Sequence, residues 1–132
     1  MLFRSLGALR LAGSLAVLSK AQLTVLSVVE WPEPEVAELA RFDDRDFRVH
    51  LREQVRQELA TAVATTLSGG TVCEELAYGQ PYRRILHVAE RDNSDLIVMG
   101  VRGRNPFDLA IFGSTANQVV RRARCPVLTY RP

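Results

Sequence analysis

Gly100-Val-Arg-Gly103 is separated by nine residues from Gly113-Ser114-Thr115, and this is the pattern with the clearest chemical meaning in the chain. An apolar run, Asp95 to Met99, precedes it, and an amphipathic stretch, Ala116 to Ala123, follows it. The glycines therefore lie where a buried strand hands over to a helix. Glycine lets backbone approach an anion closely, and the first turn of a helix offers unpaired N–H groups and the positive end of its dipole. Ser114 and Thr115 add hydroxyl donors and an N-cap. The chemistry indicated is phosphate binding. The dinucleotide fingerprint Gly-x-Gly-x-x-Gly is absent, and so is a Walker loop, because the single lysine, Lys20, lies far upstream.

Other chemistries find little support. Cys73 and Cys125 lack ligand or redox spacing, and both are expected to pack as small hydrophobes in or beside strands. His50 and His87 fall in separate predicted helices, with no second ligand nearby in sequence. The net charge is +2, and the one all-basic cluster, Arg121, Arg122 and Arg124, reads as a solvated helix end. It has no interleaved aromatics, so no nucleic-acid partner is expected.

The elements that must position the glycines alternate in type. Met1 to Lys20 carries Arg4 and Arg10 and no acid, which superficially suggests a signal peptide. Its uncharged run is short for one, and a helix with a broad leucine face built on Leu6, Leu9, Leu11, Leu15 and Leu18 is the reading adopted. A strand over Gln22 to Val29, a proline-marked loop, Glu30 to Pro34, and a helix from Asp46 to Leu67 follow. In that helix Phe47, Leu51, Val55, Leu59, Val63 and Leu67 recur every fourth residue, and Ser68-Gly69-Gly70 stops it. Thr71 to Tyr78 reads as a strand, and Pro81 opens a helix with Ile85, Leu86, Val88 and Ala89 inward. Strand Leu96 to Met99, helix Ser114 to Ala123 and strand Pro126 to Tyr130 complete one α/β domain over residues 1–132. Its parallel sheet would carry helices on both faces, with ligands beyond the strands' carboxyl ends.

Gly-2x-Gly-9x-Gly-(Ser/Thr), preceded by Asp-Leu-Ile-Val-Met and followed by Val-Val-Arg-Arg-Ala-Arg-Cys-Pro-Val-Leu, closely resembles the universal stress protein (UspA) domain. The resemblance implies that family's Rossmann-like, adenine nucleotide alpha hydrolase-like fold. That domain normally opens with a strand in the middle of the sheet, ending in an Asp near the adenine. Here the resemblance starts at about Ser5, and Met1 to Arg4 resembles neither the strand nor its Asp. Either the sheet closes differently, a partner supplies a strand, or the chain is N-terminally truncated; truncation is the reading adopted.

The resemblance further implies a site. Val28 would meet the adenine through its backbone, Met99 and Gly100 would line adenine and ribose, and Gly103, Gly113, Ser114 and Thr115 would surround the phosphates, with Arg102 within reach of them. The implied ligand is ATP or a related adenine nucleotide, with magnesium as a companion. The implied protein is a cytoplasmic stress-response binding module without a membrane partner, dimerising through Pro126 to Tyr130, the strand left as an open edge. No Ser/His/Asp set is visible, so no enzyme is expected; Asp108 is the one carboxylate placed near the loop. A scaffold that keeps the fold without nucleotide is the alternative, favoured by the absent Asp. A phosphotransferase dependent on Asp108 is a third.

Overall fold

The computed structural model describes residues 6–30, 45–101 and 113–131. Four helices alternate with four strands: α1 (Leu6–Ser19), β1 (Leu23–Val29), α2 (Arg45–Thr66), β2 (Val72–Tyr78), α3 (Pro81–Arg91), β3 (Ile97–Gly100), α4 (Gly113–Arg122) and β4 (Val127–Tyr130). From Ser19 onward the boundaries expected from hydrophobic period and punctuation agree to within about a residue or two, the usual margin for element ends, while the expected start of the first helix lies outside the described residues. Among the described residues no helix is long and apolar enough to cross a membrane.

The strands form two parallel pairs and not one continuous sheet. β1 pairs with β2 from Leu23↔Val72 to Val29↔Tyr78, and β3 pairs with β4 from Ile97↔Val127 to Gly100↔Tyr130. Helix α1 packs on β1, β3 and β4, so it lies across both pairs, with α2 beside it against β1 and β2. On the other face α3 covers β1 and β2 and packs on α4, which touches β4. Among the described residues the result is three layers, helices on both faces of the strands, with α1 packed on both pairs.

Small residues set how closely α1 approaches the sheet. Its buried residues are Ala8 and Ala12, one turn apart, while Leu9, Leu11 and Leu15 are half-buried and Leu18 is 82% exposed. The expected leucine face is thus corrected: leucines occur all round this helix, and close contact with the strands selects the alanine stripe. A Cβ on Gly7 would overlap the Tyr130 ring, and one on Gly13 would meet the end of Leu67. In α2 the four-residue rhythm does mark the core, since Val55, Leu59 and Val63 are buried with Ala62. Phe47, at the same period, is half exposed.

Candidate functional site

In a parallel ladder the N–H and C=O of one residue point to the same neighbouring strand, and those of the next residue point the other way. The Leu23 N–H donates to the Thr71 carbonyl, and the Val29 carbonyl accepts from the Gly79 N–H, both at 3.0 Å. Thr24, Leu26 and Val28 therefore direct their backbone groups away from β2. On the second pair, the Ile97 N–H donates to the Pro126 carbonyl at 3.0 Å and the Val101 N–H to the Tyr130 carbonyl at 2.9 Å. Val98 and Gly100 accordingly direct theirs away from β4. Val28 and Gly100 are the last such residues on their strands, so each directs a donor and an acceptor away from its paired strand at a carboxyl end.

The chain leaves β3 at Gly100 and is described again at Gly113, the first residue of α4. Gly113 has φ +64°, a conformation L side chains adopt at a cost, and a Cβ there would meet nothing within 4 Å among the described residues. Gly113 and Ser114 are exposed and Thr115 is half-buried. This first turn of a ten-residue helix presents N–H groups with no partner inside the helix. A strained glycine whose Cβ direction is open, at a helix N-terminus carrying a serine hydroxyl, has the donors and the room that a phosphate needs.

The expected site residues fare differently. Val28 and Gly100 each lie near the carboxyl end of a strand with the backbone turned away from its paired neighbour, and Gly113, Ser114 and Thr115 form one turn. Met99 spends its backbone on β4, so only its half-buried side chain is left to face a ligand. Arg102, Gly103 and Asp108 lie outside the described residues. Among the described residues no group of three His, Cys, Asp or Glu side chains is placed to hold a metal ion. His50 and His87 are exposed on α2 and α3.

Two features had no sequence signal. Ser27 is 95% buried on β1, one residue before Val28, and its hydroxyl has no hydrogen-bond partner among the described residues. At the end of α3, Arg91 donates to both carboxylate oxygens of Glu75, in the middle of β2, at 2.8 and 2.6 Å and from Nε to Asp92 at 2.7 Å. The Arg91 hydrogen bonds hold both carboxyls below their ordinary range, and Thr24 adds a further hydrogen bond to Asp92. These titration shifts thus belong to a structural lashing between α3 and the first strand pair. Cys73, expected to be packed, is exposed on β2, a strand with a neighbour on one side only.

A family model described as the universal stress protein family matches residues 4–131. Universal stress protein MJ0531 of Methanocaldococcus jannaschii is 36% identical over 48% of this chain and 37% of its own length. A Thermus aquaticus universal stress protein encoded 3′ of a QAH/OAS sulfhydrylase is 40% identical over 64% of this chain and 58% of its own length. The chain thus spans less than two thirds of these relatives. Among solved structures, hypothetical protein MJ0577 superposes with a TM-score of 0.79 at 21% identity, covering 100% of this chain and 90% of that one. UspA from Lactobacillus plantarum does so at 0.70 and 29% identity, covering 99% and 92%. The universal stress protein of Archaeoglobus fulgidus in complex with dAMP does so at 0.65 and 22% identity, covering 98% and 89%.

Proposed function

The chain belongs to the universal stress protein family, and from that premise we infer that it is a binding module for an adenine nucleotide, ATP in the first instance. The observation that carries this reading is the backbone of Val28 and Gly100, turned away from β2 and β4 at the carboxyl ends, together with the positive-φ Gly113 that starts α4 and meets nothing among the described residues. A base reads well against a backbone donor and acceptor turned away from the paired strand, and Val28 offers both. Phosphates suit the first turn of α4, where Ser114 adds a hydroxyl and the helix dipole favours negative charge. The dAMP held by the Archaeoglobus fulgidus protein is of the chemical class this arrangement would take.

The same reading makes the protein a binder and not a catalyst, working in the cytoplasm and as a homodimer across β4. Magnesium would enter with the nucleotide, held by the nucleotide's own phosphates. Arg102 and Gly103 would complete the phosphate side.

Thermal unfolding with and without Mg-ATP tests the proposal. A ligand that binds only the folded state raises its stability by about 2.7 kcal/mol at a hundred times its Kd, roughly 10 °C for a chain of this size. Gly113→Val is expected to abolish that rise, because a β-branched side chain disfavours φ +64° and fills the space left for the ligand. An equal rise in parent and variant would place the nucleotide elsewhere, and no rise in the parent at saturating Mg-ATP would remove the function proposed.

A further inference from the structure

The arginines of the α3–α4 layer fall into two groups. At the C-terminal end of α3, Arg91 is held by Glu75 and Asp92, and Arg124, just past α4, lies 3.3 Å from Glu90. Arg84 on α3 and Arg121 and Arg122 on α4 are exposed and make no ion pair among the described residues. Arg121 and Arg122 lie in the last turn of α4, where cations suit the negative end of a helix dipole. Arg83 and Arg84 stand in the first turn of α3, where the dipole is positive and no acidic residue offsets them. Local stability therefore does not account for that second pair.

Tyr82 links the two helices, which pack on each other. The Arg122 guanidinium carbon lies 5.4 Å and that of Arg83 5.8 Å from the centre of its ring, and Arg83 Nε donates to its hydroxyl at 3.1 Å. The Arg83 hydrogen bond, and after it the charges of Arg83 and Arg122, hold the phenol below its ordinary pKa, as a positive local field should. The sequence around Arg121 and Arg122 has no aromatic, and the fold supplies one from another helix. Tyrosine rings and guanidinium planes are both surfaces on which an unpaired base stacks, and guanidinium forks pair with the phosphates between bases. An acidic peptide would use the charge and leave the ring idle, while a duplex stacks its bases on one another.

We propose that Tyr82, Arg83, Arg84, Arg121 and Arg122 form a binding surface for single-stranded nucleic acid. Phosphates would lie on the arginines, and a base would stack on the platform made by Tyr82 and the guanidinium over it. None of these residues belongs to the nucleotide site proposed above, so the two bindings make separate demands on the chain.

The test is fluorescence anisotropy of a labelled oligothymidylate of about eight nucleotides, titrated with the 132-residue chain at several salt concentrations. Release of about 0.7 counterion per neutralised phosphate predicts that log Kd rises with log salt at a slope of about 2 to 3. Arg121→Gln and Arg122→Gln should each lower that slope by about 0.7. Arg56 is exposed on α2, across the strands from α3, and Arg56→Gln should leave it unchanged. Tyr82→Leu should weaken binding about fivefold or more without changing the slope, and Tyr82→Phe should keep the parent's affinity. An abasic strand of the same length should bind the parent and Tyr82→Leu alike, which separates lost stacking from lost fold. The proposal fails if the oligonucleotide does not bind at low salt. It fails equally if the abasic strand, or a glutamate peptide of the same charge, binds the parent as tightly, because the patch is then a general anion surface. It also fails if Mg-ATP displaces the oligonucleotide, which would put the strand in the nucleotide site. Undiminished oligonucleotide binding by Gly113→Val, with the Mg-ATP effect lost in that variant, is the expected result and keeps the two ideas separately decidable.

Discussion

The two halves of the sheet are built to different standards. β1 and β2 pair over seven residues each, lie between α2 and α3, and are lashed to α3 through Arg91, Glu75, Asp92 and Thr24. β3 and β4 pair over four residues each and are held by apolar contacts, with Ile97, Val101, Ala116 and Val119 buried. The glycine motif leaves from this shorter half. Segments that bind and release ligands come from the less stable part of a fold, since they must open without unfolding the rest. The first half reads as the anchor and the second as the working half.

The harshest way to break that contrast is to empty the core of the working half. Val119 is fully buried on α4, and Val119→Ala is expected to cost about 2 kcal/mol. Native-state exchange should show the loss first at Ile97, Met99 and Val101, with Val25 and Ser27 on β1 affected less. Equal loss in both pairs would mean that they unfold as one unit and that the division drawn above is only geometric.

A sharper comparison uses one helix against both halves. Gly7 of α1 lies against the Tyr130 ring of β4, and Gly13 lies against Leu67, just beyond α2. Replacing a helical glycine by alanine stabilises by about 1 kcal/mol when nothing obstructs the methyl. At Gly13 the obstacle is the flexible end of a leucine, so Gly13→Ala should be neutral or mildly stabilising. At Gly7 the methyl runs into an aromatic ring packed on a strand, so Gly7→Ala should destabilise by about 1–3 kcal/mol and disturb the β3–β4 pair. Denaturant midpoints read both, and the opposite ranking would show that α1 is set by its contacts with the first half.

How much of this was legible beforehand follows from what a sequence pattern encodes. Short apolar runs and glycine or proline punctuation report burial and chain reversal, so all eight elements could be read within about a residue or two at most ends. Which backbone groups turn away from a paired neighbour depends on register, and register becomes visible only when strands are paired; that is why Val28 and Gly100 could be named from resemblance but the direction of their backbone groups could not. Leucines on every side of α1 gave no way to choose its buried stripe. The Arg91–Glu75 contact joins residues sixteen apart across two elements, beyond the reach of local spacing. Ser27 looked like any small residue in an apolar run.

The mildest perturbation tests the anchor half through pH. The Arg91 hydrogen bond lowers the Glu75 pKa below its ordinary value of 4.5, so the ionised carboxylate is the form that the fold prefers. The stabilisation is therefore present above about pH 4.5 and is lost as the pH falls through the lower, folded value. It is small, because the Arg91 side chain is 46% exposed and solvent screens the pair. Glu75→Gln should lower the thermal midpoint at neutral pH by roughly 2 °C or less, with the difference vanishing in strong acid. Asp92 is shifted in the same direction by the same arginine, so the variant should keep part of the acid dependence and not become flat. Because the lashing ties the end of α3 to Glu75 at the middle of β2, on residues outside the proposed nucleotide site, Mg-ATP should raise the midpoint of Glu75→Gln as much as that of the parent. A loss of that rise would show that the anchor and the working half are energetically coupled, which the separation of their contacts argues against.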